Sequence, residues 1–185
     1  PYIFVERKGI HVIDLNRTVE CLERSAAALR QMAKSGKKIL FVGTKKQARN
    51  IIEEAAKSVG MPFVSDRWLG GMMTNFSTIR KSVRKMQSIE RMFGGIAQLN
   101  MLPDALLGVD ISNEHLAVAE ATRLGIRTVG IVDTNSDPTI VDFAIPSNDD
   151  ASKAIAIIIN YLTEAIREGL EERKNMKEEV SAEAE

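Results

Sequence analysis

The side chains with the greatest chemical reach in this sequence are cationic. Arg80, Lys81, Arg84 and Lys85 follow the stretch Arg67-Trp68-Leu69-Gly70-Gly71-Met72-Met73-Thr74-Asn75-Phe76, and residues 67–91 hold six Lys/Arg against a single acid, Glu90. In a chain whose formal net charge is zero, that excess makes a local field, and the partner such a field fits is a polyanion. The competing reading is an ordinary charged helix whose basic face is simply solvated. A second cationic group, Gly43-Thr44-Lys45-Lys46-Gln47, sets a hydroxyl and two lysines where a helix is expected to begin, so free amides and the helix dipole could hold a phosphate there. It is not a Walker loop, because the second glycine and the Gly-Lys-Ser/Thr ending are missing. Asp110 and Asp133 each follow an expected strand on the same sheet edge, which leaves a magnesium or phosphoacceptor site open. The runs Asp133-Thr134-Asn135-Ser136-Asp137-Pro138 and Pro146-Ser147-Asn148-Asp149-Asp150 read first as Asx turns and helix caps, and no metal site is assigned.

Nothing in the sequence assembles a catalytic centre. There is no Gly-x-Ser-x-Gly elbow, and the two histidines, His11 on an early strand and His115 at a helix start, have no nucleophile and orienting group arranged around them. One cysteine, Cys21, excludes an internal disulfide, and no His/Cys spacing suits zinc. No catalytic residue and no cofactor is therefore assigned.

Alternating elements must position the cationic groups. Tyr2 to Val5 and Ile10 to Ile13 read as short extended pieces turning at Arg7-Lys8-Gly9. A helix from about Leu15 to Ser35 follows, with Leu15, Val19, Leu22, Ala26, Leu29 and Ala33 as its buried stripe and Gly36 as its stop. Lys38 to Gly43 is a short continuous apolar run, the pattern of a strand buried on both faces of a parallel sheet. Helix Lys45–Val59, strand Met61–Val64, the basic helix after Thr74, strand Ala105–Val109, helix Glu114–Leu124, strand Thr128–Val132, strand Phe143–Ile145 and a helix from Asp150 to about Arg173 complete the series. The basic helix would pack through Phe76, Ile79, Val83 and Met86 and present its lysines and arginines outward. Strict alternation predicts an α/β fold with five parallel strands in the doubly wound order 2-1-3-4-5. Ligands gather at the carboxyl ends of such strands, where the loops after the first and second strands would carry Lys45, Lys46 and Arg67. Gly108, inside a strand, predicts a bulge or a close backbone approach.

Composition permits this architecture. A chain of 185 residues, 44% hydrophobic, can bury a full core, and a single domain over residues 1–173 is expected, followed by an acidic solvated tail at 174–185. Residues 164–185 carry eight Glu against four Lys/Arg, so the rest of the chain is net positive. No apolar run approaches a membrane span and no signal peptide pattern is present, which predicts a cytoplasmic protein. A start at Pro1 rather than Met leaves room for an upstream segment.

Seven stretches, in order and spanning nearly the whole chain, carry a family resemblance. They are Pro1-Tyr2-Ile3-Phe4, Gly9-Ile10-His11-Val12-Ile13-Asp14-Leu15, Phe41-Val42-Gly43-Thr44-Lys45-Lys46-Gln47-Ala48, the Arg67 to Phe76 stretch, Leu102-Pro103-Asp104-Ala105-Leu106, Val132 to Pro138 and Ile145 to Asp150. Together they resemble the bacterial family of the small-subunit ribosomal protein numbered two. The resemblance implies a flavodoxin-like three-layer fold without enzymatic activity, at the junction of head and body of the small subunit, in contact with ribosomal RNA. It also implies neighbouring small-subunit proteins as partners, including the large messenger-gathering protein built from OB-type repeats. Three features differ from the family pattern. The basic lead before Pro1 is absent, and so is the long helical hairpin that normally continues from the Thr74 helix, at Phe93/Gly94, where the parent polypeptide is expected to have residues. Gly108 and Arg127 stand where an apolar residue and a proline are usual.

On this reading Arg80, Lys81, Arg84 and Lys85 neutralise phosphates, and Lys45, Lys46 and Arg67 extend the surface if their loops are neighbours. Trp68 either stacks on a base or packs in the core, with packing preferred, and Asn75 is a cap before it is a base reader. Two rivals remain: a phosphate-binding enzyme or regulatory module using Thr44 to Lys46 with Asp110 and Asp133, and a protein-binding scaffold acting through Ile155, Ile158, Ile159, Leu162 and Ile166 of the last helix.

Overall fold

The computed structural model describes residues 2–76, 94–96 and 99–182. Arg80, Lys81, Arg84, Lys85 and the Phe93/Gly94 junction lie outside the described residues.

The chain opens with an antiparallel hairpin, β1 (Ile3–Arg7) and β2 (Ile10–Ile13). Its turn places Lys8 at φ 54° and Gly9 at φ 76°, and two left-handed residues in succession match the twist of paired strands. Helix α1 (Leu15–Lys34) starts where Asp14 accepts the Asn16 N–H at 3.0 Å. It ends at Gly36, whose φ of +77° lets the N–H of Lys37 reach back to the Met32 carbonyl at 3.0 Å.

Five parallel strands form the sheet: β3 (Ile39–Val42), β4 (Phe63–Val64), β5 (Ala105–Val109), β6 (Arg127–Val132) and β7 (Phe143–Pro146). Their spatial order is β4-β3-β5-β6-β7, which is the predicted 2-1-3-4-5. The connecting helices are α2 (Arg49–Ser58), α3 (His115–Arg123) and α4 (Ser152–Ala182). β3 is buried at all four positions, as its unbroken apolar run requires. On one face of the sheet Ile39, Phe41, Leu107, Val129, Ile131 and Ile145 meet α1, α2 and α4. The stripe Ile155, Ile158, Ile159, Leu162 and Ile166 is spent in this core, which removes the ground for a scaffold acting through it. On the other face Leu40, Val42 and Leu106 meet α3 and the loop carrying Trp68, Met72 and Met73.

Three local expectations are corrected. Leu15 and Val19 of the α1 stripe are 73% and 53% exposed, because Thr18 takes the inward position and donates its hydroxyl to the Pro146 carbonyl at 2.5 Å. α4 does not stop near Arg173 but runs to Ala182, with Lys174 to Glu179 exposed along it. Gly108 sits in regular register between Val42 and Gly130, and a Cβ there would meet only Leu106 at 3.5 Å, an ordinary contact. The close approach belongs to its neighbour: a Cβ on Gly130 would lie 2.5 Å from Cγ2 of Ile111. Gly130→Ala is therefore expected to overpack the junction of β6 with Ile111 and to lower stability by about 1–3 kcal/mol, whereas Gly108→Ala is tolerated. Thermal unfolding of the two variants side by side measures the difference.

No described helix is long and apolar enough to cross a membrane.

Candidate nucleic-acid interface

Among the described residues, the loops at the carboxyl ends of the strands hold Lys45, Lys46, Arg67 and Trp68, and they treat the two lysines after β3 oppositely. Residues 45–48 form a turn, and α2 begins only at Arg49, so Lys45 and Lys46 diverge from a tight bend instead of lining a helix. Lys46 is exposed. Lys45 turns inward, its ammonium 3.0 Å from Asp110, 2.6 Å from Asp149 and 2.7 Å from Asp150. Burial pushes the Lys45 pKa down, but the carboxylates of Asp149, Asp150 and Asp110 outweigh it and hold the ammonium above the ordinary lysine range. Asp149 bears the cost of this arrangement. It is 1% exposed, and burial together with the charges of Asp110 and Asp133 pushes its carboxyl up despite the bond to Lys45. Asp133, Asp149 and Asp150 can bring oxygens within 4.8 Å of one another, and Lys45 supplies cationic charge at Asp149 and Asp150. A lysine so neutralised offers little to a polyanion, so the expectation that Lys45 joins the binding surface is withdrawn.

The phosphate reading of the same loop fails for a similar reason. Both the backbone N–H and the hydroxyl of Thr44 donate to Oε1 of Glu114, at 2.7 and 2.6 Å, and Asn113 donates to the Thr44 hydroxyl oxygen at 2.7 Å. A side-chain carboxylate already occupies the Thr44 donors that an incoming phosphate would need. Glu114 is 1% exposed, and burial raises its pKa even against the bonds from Thr44 and Asn113. Asp110 is set in the left-handed region at φ 61°, and its Oδ1 accepts the Asn113 N–H at 3.0 Å. The loop after β5 is thus an internal brace for the loop after β3.

Arg49 joins the next pair of loops. Its guanidinium donates to the Thr44 carbonyl at 2.9 Å and the Asp66 carbonyl at 3.2 Å, and pairs with the Asp66 carboxylate at 3.2 Å. The loops after β3 and β4 are therefore neighbours, the condition on which Lys46 and Arg67 could share one surface. Arg67, like Lys46, is exposed.

Trp68 is 7% exposed, in the core formed with Val64, Met72, Met73 and Leu99. Its indole N–H donates to Glu120 at 3.1 Å. That carboxylate, projecting from α3, also accepts the N–H groups of Gly71 at 2.6 Å, Met73 at 2.9 Å and Thr74 at 3.0 Å, and the Thr74 hydroxyl at 3.2 Å. Burial alone would raise the Glu120 pKa; the backbone donors of Thr74, Met73 and Gly71, with Trp68, overcome it and hold the carboxyl below the usual range. Gly71 makes the wrap possible, with φ of +86°. Asn75 is exposed, and its N–H is bonded to the Gly71 carbonyl at 2.8 Å. Glu120 was not singled out from the sequence, nor were Glu114 and Arg49. The only local trace of Glu120 is an acid beside the small buried residues Ala117 and Ala121.

Comparison with known proteins gives this geometry its context. The family model described as ribosomal protein S2 matches residues 1–93 and 85–169. Among curated relatives, the small ribosomal subunit protein uS2 of Bacteroides thetaiotaomicron is 50% identical over 209 aligned residues, covering 98% of this chain and 75% of the relative. The protein of the same name from Cytophaga hutchinsonii is 47% identical over 207, covering 97% and 82%, and that from Porphyromonas gingivalis 51% over 204, covering 96% and 73%. With the predicted sheet order observed and the matches reaching along nearly the full length, the chain belongs to the ribosomal protein S2 family, whose members are structural components of the small ribosomal subunit and not enzymes.

Proposed function

We propose that this protein binds small-subunit ribosomal RNA through a basic surface made of Lys46, Arg67, Arg80, Lys81, Arg84 and Lys85, and so helps to hold the particle together. The observation that carries the reading is the Glu120 clasp. Five donors from Trp68 to Thr74 converge on one carboxylate, so the segment that leads into the basic stretch is held at a fixed point. Lys46 and Arg67 are exposed on the two loops that Arg49 joins, beside that point. Phosphate neutralisation by such residues positions a protein on folded RNA without reading base edges, and specificity then comes from RNA shape.

The test is binding of the chain to a small-subunit ribosomal RNA fragment and to an unrelated structured RNA of equal length, across a salt series. Replacing Arg80, Lys81, Arg84 and Lys85 together by alanine is expected to weaken binding at low salt and to reduce the slope of log K against log salt by up to about four. An unchanged slope would place the RNA contact elsewhere.

Neighbouring ribosomal proteins, among them the OB-repeat messenger-gathering protein, complete the proposed set of partners. What supports a protein contact is the exposure of large apolar side chains at this end of the chain: Phe4 and Ile10 in the first hairpin and Leu15 at the start of α1 are 73%, 68% and 73% exposed. We further propose a single domain over residues 1–173, an acidic solvated tail at 174–185, and the absence of the family's helical-hairpin insertion at 93/94. Two things support the last: the family model matches in two stretches that overlap at 85–93, and relatives align over more residues than the 185 of this chain.

A further inference from the structure

The amino-terminal edge of the sheet, opposite the loops of Lys46 and Arg67, carries cations that the proposed RNA surface does not use. Lys37 and Lys38 lie between the end of α1 and the start of β3, and both are exposed. Arg173, half-buried, reaches the same turn from α4. Gly36 leaves it room: a Cβ there would fall on the Arg173 guanidinium. The guanidinium thus lies against the turn that leads into the two lysines.

What sets these three apart is the lack of counter-ions. On the layer formed by α1, α2 and α4, Arg30 is taken by Glu168 and Glu172, Lys34 by Glu172, Lys57 by Glu53 and Arg167 by Glu164. Among the described residues Lys37, Lys38 and Arg173 have no ion-pair partner. Asp104 turns its carboxylate to the backbone N–H of Lys38, at 2.9 Å, and not to an ammonium. Glu172 is spent on Arg30 and Lys34, and Glu171 lies about 200° around the helix from Arg173. A guanidinium held against backbone with its N–H donors unspent suits a phosphate, which it grips with two of them, and the lysines add point charge. Lys38 and Gly43 bracket β3, so this turn and the loop of Lys46 stand roughly 17 Å apart at ~3.3 Å per residue. That exceeds the screening length of about 8 Å at physiological salt, so the two cationic groups act as separate sites.

We propose that Lys37, Lys38 and Arg173 form a second phosphate-binding site for RNA, so that the domain grips the RNA backbone at both edges of its sheet and ties two RNA segments together. The inference rests on the reading of this chain as a binder of small-subunit ribosomal RNA, but not on the basic stretch at 80–85.

The experiment titrates a labelled small-subunit ribosomal RNA fragment with the full chain across a salt series. Lys37→Gln, Lys38→Gln and Arg173→Gln together keep the side-chain stems and break no ion pair. They are expected to leave the thermal midpoint in place, to weaken binding about tenfold at low salt and to reduce the slope of log K against log salt by up to about three. The control set, Lys34→Gln, Lys57→Gln and Arg167→Gln, removes equal charge from cations that already have carboxylate partners, and should change the slope by less than about one. The two RNA surfaces fail separately. A slope that falls in this triple variant but not in the variant lacking Arg80, Lys81, Arg84 and Lys85 supports this site and removes the other, and the reverse result removes this one. Three further outcomes overturn the proposal: an equal fall in the control set, a lowered midpoint with RNA affinity intact, which would assign the three cations to the carboxyl end of α1, and a Glu-rich peptide that binds the unaltered chain as tightly as RNA and is lost in the triple variant, which would assign the site to an acidic protein. An unaltered chain that binds no RNA overturns both readings.

Discussion

Replacing Glu120 by alanine is expected to lower stability by about 3 kcal/mol and to release the Trp68 loop before the rest of the domain unfolds. The magnitude follows from what is left behind. The indole N–H of Trp68 and the backbone N–H groups of Gly71, Met73 and Thr74 all end on this carboxylate; the first three bonds are partly buried, so their donors lose an acceptor that water only partly replaces, whereas the exposed Thr74 N–H can turn to water. Glu120→Gln keeps one acceptor oxygen but turns an NH2 toward donors, so it recovers only part of the loss. Tryptophan fluorescence reports the loop directly, since Trp68 is the only tryptophan and is 7% exposed. A red-shifted emission in Glu120→Ala under conditions where circular dichroism stays native is the expected signature; a native emission maximum would show that the core contacts alone hold the loop. The pH dependence has a definite sign. The folded pKa of Glu120 lies below its unfolded value, so its contribution is present above the ordinary glutamate range and is lost as pH falls through the folded value. The wild type and Glu120→Ala should converge in acid. RNA affinity should fall in the variant as well if the basic stretch depends on a fixed point of departure.

Lys45→Met is expected to cost about 3–5 kcal/mol, because it leaves Asp149 and Asp110 buried without the cation that justified them. Asp149 stands out: its Oδ2 is buried and has no hydrogen-bond partner, so the bond from Lys45 to Oδ1 at 2.6 Å is the principal compensation for its charge. Adding Asp149→Asn to Lys45→Met should restore more than half of the loss, as removing both charges avoids the unpaired one. The linkage again decides the pH window. The folded pKa of Lys45 is raised, so its stabilisation is fully present below the ordinary lysine range and is lost only as pH climbs through the folded value, in strong alkali. In the variant the penalty is an ionised carboxylate with a raised pKa, and it shrinks as pH falls through the carboxylate range. Denaturant titrations at neutral and mildly acidic pH test this: a stability gap that does not narrow in acid would mean that packing of the lysine stem, not charge, is what the substitution removes. An unchanged RNA affinity in Lys45→Met, at a temperature where it remains folded, is the expected companion result.

The sheet was legible because its signals are local. The unbroken apolar run of β3, the alternation of strand and helix, and the stop at Gly36 each depend on neighbours in sequence, and they yield the strand order 2-1-3-4-5 through the handedness of crossover connections. The errors fell where two elements share a residue's environment. Leu15 and Val19 have the spacing of a buried stripe, yet Thr18 faces inward to the Pro146 carbonyl, a contact made across 128 positions. Gly108 looked like the crowded glycine, but crowding at Gly130 depends on where Ile111 lands after the strand ends.

The sequence by itself determined where cationic residues cluster along the chain, the order of the elements and the edge of the sheet on which the loops gather, because charge, periodicity and connection length are properties of contiguous residues. It could not distinguish Lys45 from Lys46, two adjacent lysines of identical chemistry. Tertiary structure separates them by bringing Asp110, Asp149 and Asp150, 65 or more positions away, against one and leaving the other in water. The same holds for Glu120, an unremarkable helical acid until the Trp68 loop delivers three backbone donors and an indole to it. Whether a charge acts on a partner or holds the fold depends on its desolvation and its counter-ions, and both are set by residues that only folding brings together.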